Sequence, residues 1–204
     1  MSTENFEFII KFFNISEDSL VFDSIWLITN MCSDDYHLYT LFNEIESLSR
    51  KIKEGLKDSF LRPIACYFLS YASDKIKTVE TFKLLLDILP YAFESLNIQI
   101  LENIKNSNFD CNSLNIIKYL SVFIYKMTTY ANNNSLIKSI INKELINAVS
   151  NALCYILSVK VENTNENLDY KSFFKIVKAL LSSLTNLSSC SENELIVSYN
   201  IKNL

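Results

Sequence analysis

The 204-residue chain contains one glycine, Gly55, and two prolines, Pro63 and Pro90. β-Sandwiches and barrels need both residue types in their turns, and phosphate-cradling loops need glycine where backbone meets ligand. Neither can be built from a single glycine, so the expected class is all-α. Arginine is nearly as scarce. Arg50 and Arg62 are the only two among nineteen basic residues, which leaves few bidentate clamps for phosphate or carboxylate. A net charge of −4 argues against a sequence-independent grip on nucleic acid, so no direct nucleic-acid partner is expected. The single histidine, His37, lies in Tyr36-His37-Leu38-Tyr39 without companion ligands, and reads as a solvent-facing structural residue. Five cysteines are an odd, dispersed set with no CxxC, which disfavours a disulfide framework or zinc site and points to a reducing compartment. The longest apolar runs, such as Leu84–Leu89, stop short of the ~20 residues a membrane helix needs. The expectation is a soluble protein of the cytoplasm, the nucleus or both. Neither enzymatic activity nor a metal or cofactor is expected.

Apolar residues nevertheless make up 49% of the chain, enough for a packed core. Helical periodicity runs almost end to end. It predicts helices near 3–14, 18–33, 36–53, 57–73, 79–96, 98–106, 113–131, 135–142, 144–160 and 170–189, with another from about 192. Residues 1–204 read as one continuous helical-repeat domain. Ser16 to Ser19 opens the second helix with a hydroxyl and acids, Asp34-Asp35 can cap the third, and Thr78 precedes Val79 as a cap. The polar stretch Val161–Leu168 reads as the one long loop.

Several of these helices are apolar almost all round, so they are expected to be covered on more than one side. In 18–33, Val21, Ile25, Ile28 and Cys32 form one stripe, which Leu20, Leu27 and Met31 extend round a flank. The narrow remainder carries Asp23, Trp26, Asn30 and Asp34. Corresponding strips are Arg62, Cys66, Ser70 and Asp74; then Ser121, Tyr125 and Thr129; then Lys178, Ser182, Asn186 and Cys190. From Asn30 to Ser70 is 40 residues, a period expected of two- or three-helix solenoid repeats. The next steps, 70 to 129 and 129 to 186, are longer. The pattern predicts an α-solenoid of armadillo or HEAT type, with room for about four to five repeats.

The segment Trp26-Leu27-Ile28-Thr29-Asn30 resembles the WALTN element of importin-alpha armadillo repeats. In that family the Trp and the Asn four residues later line a concave groove and hold an extended basic peptide. The spacing has a physical basis, because positions i and i+4 stack on one helix face. An indole gives a wall for the lysine stem and a cation–π contact to its head, while an Asn amide can bond peptide backbone. Leu69 to Asp74 is similar to the family's GNIAGD ending, in which the acid receives a lysine; Asp74 matches that acid. Leu184-Thr185-Asn186 keeps an LTN, with Ser182 where the Trp would stand. Cys66 and Ser70, and then Tyr125 and Thr129, replace the other Trp/Asn pairs.

The resemblance implies a non-enzymatic importin-alpha-like binding protein holding a nuclear-localisation-type segment, with Trp26, Asn30, Asp74 and Asn186 as peptide-binding residues. The partner is then a protein or an extended basic peptide. The alternative is a structural scaffold subunit of a larger complex, docking through solenoid edges or its convex face with the groove degenerate. Taken singly, Trp26 also reads as a packing residue, Asp34 as a cap of the next helix and Asn186 as a solvated polar side chain.

Overall fold

A computed structural model describes residues 11–13, 17–106, 110–131, 143–162 and 170–188. Among the described residues the chain is all-α, with no strand. Helical residues 11–13 are followed by nine helices in order among the described residues. They are α1 (Asp18–Met31), α2 (Asp35–Glu44), α3 (Leu48–Lys57), α4 (Arg62–Ser73), α5 (Val79–Leu86), α6 (Leu89–Asn106), α7 (Cys111–Ala131), α8 (Lys143–Glu162) and α9 (Tyr170–Ser188). The chain divides into two compact units, Met1–Tyr91 and Ala92–Leu204, each described below by itself. No single described helix is long and apolar enough to cross a membrane.

Two helices expected as continuous are broken. The run 79–96 breaks after Leu86 because Pro90 has no N–H to offer the Leu86 carbonyl, and its ring would crowd that oxygen. Tight turns bridge the gap, with the Ile88 amide bonding Leu85 and the Tyr91 amide bonding Ile88. The helix then continues to Asn106 with no stop near 97. The run 36–53 breaks between Glu44 and Leu48, where no glycine or proline marks the site. Farther on, α8 runs through Val161 and Glu162, two residues into the expected loop. The expected helices 135–142 and from 192 lie outside the described residues.

In the first unit, polar anchors fix the register. Asp34 caps α2, its Oδ1 accepting from the His37 amide at 2.9 Å, and Thr78 caps α5 by accepting from the Thr81 amide at 3.3 Å. Asp58 accepts the Phe60 and Leu61 amides at 2.8 Å and so turns the chain into α4. Arg62 opens α4 and is only 3% exposed. Its guanidinium donates to the Leu56 and Lys57 carbonyls at 3.3 and 3.4 Å, placing a cation on the C-terminal end of α3, where the helix dipole favours it. Gly55 allows the close approach of α3 and α4, since a Cβ there would sit 3.3 Å from that of Ala65 and 3.4 Å from that of Leu61.

Helix α1 packs against α4, and α2 against α5. Phe22 near the start of α1 stacks on Phe60 just before α4, with ring centroids 5.8 Å apart. At the other end, Asp35, four residues past α1, accepts from the amide of Lys77, four residues past α4, at 2.7 Å. The two helices therefore run parallel, offset by about forty residues, a repeat-like spacing. The start of α2 meets the start of α5 at the same offset: buried Asp35 accepts from the Lys77 amide at 2.7 Å, the Thr78 amide at 3.3 Å and the Thr78 hydroxyl at 2.9 Å.

In the second unit α9 packs on both α7 and α8. Lys118 of α7 reaches Ser172 of α9 at 3.3 Å, and Thr129 accepts from Asn186 at 3.1 Å. Those two contacts make α7 and α9 parallel neighbours as well. The buried residues Ile117, Phe123, Met127, Ile146, Val149, Ile156, Ile176, Leu180 and Leu184 supply its core.

Candidate functional site

The open strip of α1 carries Asp23, Trp26, Leu27 and Asn30, all exposed, over a helix back formed by Val21, Ile25 and Ile28. Trp26 is 54% exposed although it is the only tryptophan of the chain. Indole is ordinarily among the most buried of side chains, so an open Trp on a well-packed helix sits on a surface that water alone does not favour. Leu27, expected on a covered flank, is also exposed, so α1 is open on that side. Asp34, beyond the end of α1, is exposed and keeps its charge readily. Bonds from the His37 amide and ring hold its carboxyl below the usual range, with Nδ1 of His37 at 2.8 Å. Nδ1 also lies 3.0 Å from the Ser33 hydroxyl, so His37 belongs to this capping cluster.

On α4 the strip differs from the expected one. Arg62 and Cys66 are buried: Arg62 is drawn in to cap α3, and Cys66 behaves as a small apolar group. The accessible edge runs instead through Pro63, Tyr67, Ser70, Tyr71 and Asp74. Four of these match α1 at an offset of forty, Asp23 with Pro63, Leu27 with Tyr67, Asn30 with Ser70 and Asp34 with Asp74, whereas exposed Trp26 falls on buried Cys66. The two tyrosines were not singled out in the sequence, although their i, i+4 spacing on an otherwise apolar helix was a readable signal. Their ring centroids are 6.4 Å apart, and the Lys75 ammonium sits 4.6 Å from the centre of the Tyr71 ring. Asp74 is exposed as the C-cap residue of α4. Trp26 and Asn30 thus lie on α1, and Asp74 ends its parallel neighbour.

Asn186 lies in the second unit, half-buried, where its amide donates to Thr129 Oγ1 at 3.1 Å and Thr128 Oγ1 at 3.3 Å. The strip positions 129 and 186 are therefore brought into contact. Ser121, expected on the same strip, is buried and donates back to the Ile117 carbonyl at 2.7 Å. Cys190 lies outside the described residues.

The chemistry available at the first-unit strip is aromatic, amide and carboxylate. Buried Cys32 behind it has its thiol pushed up to about 12 by burial, with Lys75 opposing and the neighbouring acids adding to the shift, so it stays protonated. Among the described residues no group of His, Cys, Asp and Glu could hold a metal ion. Comparison with protein-family models, with curated proteins and with solved structures finds no match for this chain.

Proposed function

We propose that this chain is a non-enzymatic, armadillo-type helical array whose first unit binds an extended lysine-bearing peptide of the nuclear-localisation kind along α1 and α4. The observation that carries the reading is the exposed Trp26 with Asn30 one turn further on the same open strip. The indole supplies a wall for a lysine stem, and the Asn30 amide can bond peptide backbone. Asp74 supplies a carboxylate for the ammonium. Four open positions of the α1 edge recur on α4 forty residues later, which supports a repeat; the Trp26 position is taken there by buried Cys66, and Tyr67 and Tyr71 supply the aromatic lining on the second helix instead. Lys75 over Tyr71 is an internal example of the contact the peptide would make.

Because Trp26 is the only tryptophan, its fluorescence reports the strip directly. Titration with a lysine-rich peptide should shift Trp26 emission, and Trp26→Ala should weaken binding by about 1–3 kcal/mol, as hot-spot aromatics do. Asp74→Asn should weaken it about fivefold and flatten its salt dependence. A Lys→Ala peptide paired with Asp74→Asn completes a double-mutant cycle. No emission change at saturating peptide, or a coupling energy of zero, refutes this function.

A further inference from the structure

The exposed face of α9 has a division that the peptide strip does not use. At 3.6 residues per turn, Ser172 and Asn186, which meet α7, fall on one side of α9. Tyr170, Phe174 and Leu181 fall on the opposite side and are 58%, 60% and 45% exposed. Between the two sides lie Lys171, Lys175 and Lys178, all exposed. The nineteen residues of α9 include no Asp or Glu. An apolar stripe roughly 16 Å long thus runs beside a parallel row of ammonium groups.

From this geometry we infer that the outer face of α9 docks an amphipathic helix of a partner protein, apolar along one stripe and acidic along one flank. The helix takes the place next to α9 that α9 itself takes next to α7, with its carboxylates over the lysine row. Charge complementarity selects the acidic flank, and an apolar stripe about three turns long on one helix suits a second helix laid beside it. A bilayer is a poorer fit, since the chain carries net −4 and the cations line only one side of the stripe. This inference is independent of the Trp26 strip, which lies in the other unit.

The test is a display library of helical peptides about eighteen residues long, with leucine fixed on one stripe and Glu, Gln, Ser or Lys allowed on both flanks. Selection on the full chain should enrich Glu on one flank. The selected peptide should bind about tenfold tighter than its Gln counterpart at low salt, the effect of three partly exposed ion pairs. The triple change Lys171→Gln, Lys175→Gln, Lys178→Gln should erase that difference, and Phe174→Ser should remove binding of both peptides. These side chains are exposed, so circular dichroism should show the variants folded; Leu181→Ser serves if Phe174→Ser does not fold. No enrichment, Lys enrichment, or binding unmoved by the triple change overturns the inference. Three other outcomes also overturn it by giving the stripe a different occupant: a dimer that Phe174→Ser dissociates, binding to anionic vesicles, or new protease cleavage within 189–204 in Phe174→Ser.

Discussion

Removing the Asp35 carboxylate should unfasten α2 from α5, and the structure sets the size of the effect. Its two oxygens accept three hydrogen bonds, from the Lys77 amide, the Thr78 amide and the Thr78 hydroxyl. Burial penalises the charge, but these bonds outweigh it and hold the carboxyl below its ordinary range. A hydrogen bond to a charged group contributes about 1.5–3 kcal/mol, and one of the three here is long. Deducting for non-additivity and partial solvent access, Asp35→Ala should cost about 2–3 kcal/mol of stability. Asp35→Asn keeps a carbonyl acceptor and should cost about 1 kcal/mol. Urea denaturation measures both, and amide exchange at Lys77 and Thr78 should accelerate in the alanine variant. A group whose folded pKa is depressed stabilises fully above its unfolded pKa of about 3.9 and loses that contribution as pH falls through the lower folded value. The gap between parent and Asp35→Asn should therefore be constant from neutral pH down to about 5 and close below about 4. A gap that widens on acidification, or an alanine variant as stable as the parent, would refute the account.

Arg62→Met should destabilise the first unit by about 1–3 kcal/mol in urea denaturation, because it leaves the Leu56 and Lys57 carbonyls at the end of α3 without their charged donor. Gly55→Val should cost about 1–3 kcal/mol in the same assay, since even one added carbon already meets Ala65 at 3.3 Å. Gly55→Ala should come out near neutral, the helix-propensity gain of about 1 kcal/mol offsetting the crowding. Alkylation of the folded protein at pH 8 followed by mass spectrometry should label the exposed Cys111 and Cys154, and spare Cys32 and Cys66 until denaturant is added.

The helical class and most helix bodies were legible because one glycine, two prolines and a 3.6-residue period leave little else to build. Most of the open strip of α1 was legible because Asp23, Trp26 and Asn30 interrupt an apolar helix at helical spacing, but exposed Leu27 beside them was placed on a covered flank. The strip of α4 was misread. Their i, i+4 spacing with Ser70 and Asp74 placed Arg62 and Cys66 on the open strip, but the unsatisfied end of α3 pulls Arg62 inward and a thiol packs as readily as an alanine. The break at 45–47 left no signal at all, since no residue there is a helix breaker.

Register is the part that periodicity cannot carry. An apolar stripe tells a helix to bury one side but is nearly indifferent to which turn of a neighbour it meets, because leucine and isoleucine contacts are interchangeable along the ridge. Directional bonds are not. Asp35 reaches the start of α5, and Asn186 reaches Thr129. Each joins residues far apart in sequence. Displacing α2 by one turn along α5 would strand the Asp35 carboxylate without its three donors. Asp35 directly follows Asp34 at the end of the α1 edge, and Lys77 follows Asp74 by three residues, so the bond between Asp35 and Lys77 ties the ends of the two open edges together. Asp35→Ala consequently makes a second demand on the functional reading: if binding uses both helices, the variant should lose peptide affinity as well as stability, whereas a site confined to Trp26 and Asn30 would lose stability alone.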